Sequence, residues 1–104
     1  MVKKILNQEI QELIEFFKTK SKLGQKNSYT SFLMKNPEKL ASKINEESFE
    51  VVIEVLKKDK QKLIQESADL IYHLLVAWIY NKIDAQEVWK ELEKRKNISG
   101  FEEK

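Results

Sequence analysis

Cysteine is absent from the 104 residues. That excludes a disulfide framework and any thiolate-held zinc, so a bound metal would have to use oxygen or histidine ligands. Glycine and proline are scarce too, at two and one, and a chain so poor in turn punctuation is a weak candidate for β structure. No apolar run approaches the ~20 residues needed to cross a bilayer. The opening MVKKILNQEIQEL breaks its apolar residues with polar ones, unlike a signal peptide. A cytoplasmic protein without a membrane partner is therefore expected. Neither sign of charge dominates: 19 basic residues stand against 17 acidic, interspersed rather than blocked, which gives little electrostatic basis for binding nucleic acid. Arginine is nearly missing as well. Every basic residue is Lys except Arg95, a lone planar fork in a Lys-biased sequence.

What is present is Lys, Glu, Leu and Ile, all good or tolerable helix formers. A chain of this length closes around one hydrophobic centre, so a single domain over residues 1–104 is expected. Ile5, Leu6, Ile10, Leu13, Ile14 and Phe17 recur at helical spacing and predict an amphipathic first helix over residues 4–20. The stretch SKLGQKN ends it, and SYTSFLMKN reads either as loop or as one or two helical turns. Asn36 as N-cap and Pro37 at the first helical position predict a long helix over residues 37–57. Asp59 offers the next cap, for a helix that runs to about Tyr80 and is the most hydrophobic of the chain. Asp84 with Glu87 forms a capping-box pattern before a last helix carrying Val88, Trp89 and Leu92 toward Arg95, and the tail NISGFEEK leaves helix at Gly100. Short connections favour antiparallel neighbours, so the expected architecture is an all-α bundle of four to five helices.

The acids on the two central helices carry the chemistry. Glu46, Glu47, Glu50 and Glu54 share one arc of about 100° on a helical wheel, with Lys43 inside it. Leu40, Ile44, Val51 and Val55 flank that arc on one side and Phe49 and Ile53 on the other, with Val52 and Leu56 behind, so the helix reads as mostly buried. Unpaired carboxylates between core faces repel and lose hydration, and something positive should offset that. On the following helix Glu66, Asp69 and His73 share a polar arc with Lys62, opposite Leu63, Leu70, Ile71, Leu74, Leu75 and Trp78. If the two helices pack antiparallel, the set Glu47, Glu50, Glu66 and Asp69 can meet at one point. All-oxygen ligands suit a hard cation, Mg²⁺ or Mn²⁺, and with it phosphate chemistry.

The bland alternative is a solvated charge run on Lys- and Glu-rich helices. It is the expected reading for Glu38, Glu54 and Glu93. His73 reads as a core histidine or as a partner of a ligand, not a ligand itself. Tyr72, Trp78, Tyr80 and Trp89 read as core or subunit interface.

SYT at Ser28, KINEESFEVVIEV from Lys43, ESADLIYHLLV from Glu66 and ELEKRKNISGFEEK at the end together resemble the phosphoribosyl-ATP pyrophosphatase family, within the wider all-alpha NTP pyrophosphohydrolases. The resemblance covers the chain from about Ser28 to its last residue. It implies Mg²⁺-dependent hydrolysis of phosphoribosyl-ATP to phosphoribosyl-AMP and pyrophosphate, the second step of histidine biosynthesis, by water attack between the α and β phosphates. It further implies that Glu47, Glu50, Glu66 and Asp69 are metal ligands. Glu46 would join Glu47 as a catalytic acid, holding a second ion or orienting the water. Lys43, Tyr29 and Arg95 become candidate substrate contacts, Arg95 at pyrophosphate or at a neighbouring subunit. Members of the family are dimers formed through their helices, and the large apolar surface of residues 63–79 in so short a chain fits a homodimer. Asn45 stands where the family often has Gly, and Glu54 where it often has a small apolar residue. The competing expectations are a house-cleaning nucleoside triphosphate pyrophosphohydrolase, which would share the metal site, and a non-catalytic helical dimerisation module.

Overall fold

A computed structural model describes the backbone of residues 2–22 and 28–96 and the side chains of residues 8–20 and 28–96. Ile5, Leu6, the connector at 23–27 and the tail after Lys96 lie outside the described side chains. Five helices account for nearly everything described: α1 (Val2–Lys22), α2 (Tyr29–Lys35), α3 (Pro37–Lys57), α4 (Lys60–Tyr80) and α5 (Ala85–Arg95). No strand occurs among the described residues. The SYTSFLMKN segment, whose pattern suits loop or helix equally, is helical and capped by Ser28, whose hydroxyl accepts from the Ser31 amide at 3.3 Å.

Local capping chemistry sets most boundaries. Asp59 caps α4 by accepting from the Lys62 amide at 3.1 Å. Asp84 and Glu87 form the full reciprocal capping box of α5, the Glu87 carboxylate accepting from the Asp84 amide at 2.9 Å. One cap works differently from expectation. Asn36 occupies the N-cap position of α3, with Pro37 following, but makes no side-chain cap bond there. Its Nδ2 instead donates to the Phe32 carbonyl at 2.8 Å, closing the end of α2. The reason is competition: a free carbonyl of the preceding helix lies within reach, and an amide side chain can donate as well as accept. Lys58, at φ 59°, adopts the left-handed conformation that ends α3 and turns the chain into α4.

The hydrophobic interior has two centres along α4. Ile14, Leu75 and Ala85 join α1, α4 and α5, with Trp78 and Trp89 meeting edge to face at 6.1 Å and 89°. Leu33, Leu40 and Val76 join α2, α3 and α4. This second centre clamps α2 over the seam between α3 and α4.

The expectation that α3 is mostly buried holds for part of each flank, Ile53 being half-buried. Leu40 is buried and Ile44 and Val51 are half-buried, whereas Phe49, Val52 and Val55 are exposed and Leu56 is 77% exposed. Among the described residues no helix of the same chain lies over that back face. Apolar periodicity reports which side of a helix avoids water, and it does not say whether the cover comes from the same chain. No helix among the described residues is long and apolar enough to cross a membrane.

Candidate metal and phosphate site

The two-residue link Lys58–Asp59 forces α3 and α4 to run antiparallel, so side chains a turn apart on one helix meet side chains a turn apart on the other. Glu47 of α3 and Glu66 and Asp69 of α4 come together in this way: each offers one carboxylate oxygen, and these oxygens all lie within 4.8 Å of one another. Glu50, one turn past Glu47, shares a hydrogen bond with Glu66. The four acids singled out from spacing therefore converge on one side of the α3–α4 seam.

Their electrostatics show how costly this convergence is. Glu47 is only 5% exposed. Its Oε1 lies 3.4 Å from Lys43 Nζ, while its buried Oε2 has no hydrogen-bond partner. The Oε2 of Glu66 is likewise buried without a partner. The hydrogen bond that protonated Glu66 donates to Glu50, burial, and the negative charges of Glu50, Glu47 and Asp69 together push the Glu66 carboxyl up to about 7 from its ordinary 4.5. A carboxyl held this far above its ordinary value by neighbouring carboxylates marks a site short of positive charge.

Lys43 supplies part of it. Its Nζ sits 3.4 Å from both Glu46 Oε1 and Glu47 Oε1. Burial acts to lower its pKa, but the hydrogen bonds and charges of Glu46 and Glu47 outweigh that and raise it, so it stays cationic. Glu46 itself is exposed at the rim of the group, on the solvent side of Lys43.

The donor set fits a hard divalent cation. An octahedral Mg²⁺ with metal–oxygen distances of about 2.1 Å spans about 4.2 Å between opposite ligands, close to the spread of the three converging oxygens. The orphaned oxygens of Glu47 and Glu66 are the ones such an ion would satisfy, and no sulfur or imidazole ligand competes among the grouped residues.

Around the acids α2 builds an aromatic wall. The Tyr29 hydroxyl lies 3.1 Å from His73 Nε2, and His73 Nδ1 lies 2.7 Å from the Asp69 backbone carbonyl. Tyr29 stacks on Tyr72 (6.1 Å, 22°) and on Phe32 (6.3 Å, 20°). Tyr72 is anchored by a 2.6 Å hydrogen bond with Thr30. Burial raises the Tyr72 pKa, with the Thr30 hydrogen bond opposing and Tyr29 adding, so the phenol stays protonated. Tyr29 and His73 are thus joined to the acid group through Asp69, a link of 44 residues in sequence that no local pattern announces.

One expectation changes. Glu54 does not lie on a solvated face: it is 8% exposed with Oε1 buried and unpartnered, because it continues the stripe of Glu47 and Glu50 toward α4. Arg95 is not brought to the acids within one chain. It stands on α5, its Nε 3.2 Å from Glu91 Oε2 in an exposed i, i+4 pair.

Relatives carry the same segment. The family model described as phosphoribosyl-ATP pyrophosphohydrolase matches residues 10–96. The chain is 47% identical over 78 residues to a phosphoribosyl-ATP pyrophosphatase of Dinoroseobacter shibae, covering 74% of this chain and 76% of that protein. It is 36% identical over 96 residues to that of Paramagnetospirillum magneticum, covering 91% and 88%. With the Granulibacter bethesdensis protein of the same name the identity is 52% over 66 residues, 64% of this chain but only 41% of that longer relative.

Proposed function

The chain belongs to the phosphoribosyl-ATP pyrophosphohydrolase family, and on that premise we propose that it hydrolyses phosphoribosyl-ATP to phosphoribosyl-AMP and pyrophosphate with Mg²⁺, or Mn²⁺ in its place. One observation carries the reading: Glu47, Glu66 and Asp69 bring carboxylate oxygens within 4.8 Å of one another between two helices, and Glu47 and Glu66 each hold a buried oxygen with no hydrogen-bond partner. Glu47, Glu66 and Asp69 hold the cation, with Glu50 beside Glu66. When bound, the ion neutralises polyphosphate charge and activates water at neutral pH.

The chain's own groups do the rest. Lys43, kept cationic and held at the edge of the acids, meets a non-bridging phosphate oxygen as a point charge. Glu46 is open to solvent on its outer side, where it accepts a proton from the attacking water as the oxygen adds to the α phosphorus and the bond to the bridging oxygen breaks, releasing pyrophosphate. Tyr29 closes the side of the site toward the nucleoside. Arg95 reaches pyrophosphate only across a subunit boundary, so its role is tied to a homodimer that covers the exposed back of α3.

Incubation of the protein with phosphoribosyl-ATP and Mg²⁺, with phosphate-anhydride cleavage followed by pyrophosphate release, tests the activity. Turnover that vanishes with chelator is expected. A folded sample that binds Mg²⁺ and releases no pyrophosphate defeats the proposal, and faster turnover of ordinary deoxynucleoside triphosphates would move the chain to a house-cleaning role.

A further inference from the structure

His73 is the chain's single histidine, it is buried, and no step of the proposed hydrolysis uses it. Its Nδ1 faces the Asp69 carbonyl oxygen at 2.7 Å. A carbonyl can only accept, so Nδ1 carries a proton. In the neutral ring Nε2 is then a bare lone pair, and the group that meets it at 3.1 Å is the Tyr29 hydroxyl. A phenol has one proton to give. With that proton turned inward to His73, the outer side of Tyr29 Oη offers lone pairs alone. The ring cannot swing away without losing its stacking on Phe32 and Tyr72, the latter pinned by Thr30.

From this polarity we infer that His73 is a positioning residue that fixes Tyr29 as a hydrogen-bond acceptor, and that Tyr29 recognises a donor on the nucleoside part of the substrate, a ribose hydroxyl or the purine amino group, and not a phosphate. The inference rests on the nucleotide-hydrolysis reading for its ligand. Phosphate oxygens are acceptors, and two acceptors facing each other at hydrogen-bond distance repel. Tyr29 is the exposed member of the pair and His73 the buried one, so the contact faces outward while its orientation is set from within. The division of labour is then spatial: Lys43 and the acids handle phosphate on the α3–α4 seam, and α2 reads the nucleoside.

Because there is one histidine, nitrogen-15 labelling of the imidazole gives a single spin system, and long-range proton–nitrogen correlations at neutral pH report which nitrogen is protonated. Nδ1–H with bare Nε2 is expected. An Nε2–H tautomer, or a doubly protonated ring, overturns the polarity, and neither result depends on turnover. Calorimetric binding in Mg²⁺ supplies the ligand side. Tyr29→Phe keeps the stacked ring and should weaken AMP by about tenfold, the scale of one hydrogen bond, while leaving inorganic pyrophosphate unchanged. Equal loss for both ligands overturns the assignment to the nucleoside. Whichever of 2′-deoxy-AMP, 3′-deoxy-AMP and IMP lacks the recognised donor should bind wild type and Tyr29→Phe alike; undiminished sensitivity to Tyr29→Phe in all three analogues overturns it as well. His73→Gln should raise the KM for phosphoribosyl-ATP more than it lowers kcat, and add nothing in the Tyr29→Phe background. Full additivity would make His73 merely structural.

Discussion

Helix α3 inverts the usual placement of side chains: its Glu47 is 5% exposed, whereas its Leu56 is 77% exposed. A soluble helix normally buries leucine and hydrates glutamate, and each reversal costs free energy in the isolated chain. The two faces differ in what would repair them. On the α3–α4 seam the missing group is a positive charge small enough to sit among carboxylate oxygens. On the back of α3 it is apolar surface, and a second copy of the chain can supply it. One face therefore reads as a ligand site and the other as an interface.

The largest expected effect breaks the back face. Burying one leucine contributes about 1.5–3 kcal/mol, and a two-fold interface counts each substitution twice, so Leu56→Lys should raise a dimer dissociation constant by about 10²- to 10⁴-fold. Sedimentation across a concentration series measures it. A wild-type protein that sediments as a monomer throughout removes the interface reading and leaves the seam untouched.

Glu66→Gln tests the seam, and the two properties it touches should move in opposite directions. Removing a ligand carboxylate should lower kcat/KM by about 10²- to 10³-fold. The same change relieves the repulsion with Glu50, Glu47 and Asp69, so the metal-free thermal midpoint at neutral pH should rise. A variant that loses activity and stability together would make Glu66 an ordinary structural residue.

Acidity offers a finer test of the same contrast. In the metal-free fold Glu66 keeps its proton up to about 7, while the unfolded chain releases it near 4.5. Between those values the native state binds more protons than the unfolded state, so stability contributed by this group is present below the window and declines as pH rises through it. Thermal scans without metal should show that decline, and Glu66→Gln should flatten it. Mg²⁺ binds the ionised acids, so its stabilisation should be larger at the upper end of the window than at the lower. A Mg²⁺ effect independent of pH would place the cation elsewhere.

How much of the fold and the site is legible in the sequence depends on the range of each interaction. The Asp59 cap and the Asp84–Glu87 box are contained within one turn, and local sequence alone reveals them. Convergence of Glu47, Glu50, Glu66 and Asp69 is legible because the two stripes belong to consecutive helices with a very short link, which leaves little freedom of register. Glu54 escapes such a reading because a glutamate facing a neighbouring helix and one facing water have the same spacing. The Tyr29–His73 bond is illegible for a stronger reason: it depends on α2 being pinned by Leu33 and Leu40 over α4, a tertiary fact with no periodic signal. Asn36 shows the remaining limit, since propensity names a good capping residue without saying which of two helix ends it serves.

Arg95 gives the smallest expected effect and the one that joins the two faces of the comparison. Within a chain it makes an exposed pair with Glu91, of a kind that contributes a few tenths of a kcal/mol, and lysine at that position can retain such a pair. Arg95→Lys keeps the positive charge, so its effect is read on substrate binding. A guanidinium at the pyrophosphate of a neighbouring subunit makes two parallel bonds where an ammonium makes one, and losing one is worth about 1 kcal/mol. The KM for phosphoribosyl-ATP should accordingly rise about fivefold with little change in kcat. If instead KM is unaltered in a dimeric protein, Arg95 is an ordinary helix-surface residue, and the acid seam works without help from the subunit that covers α3.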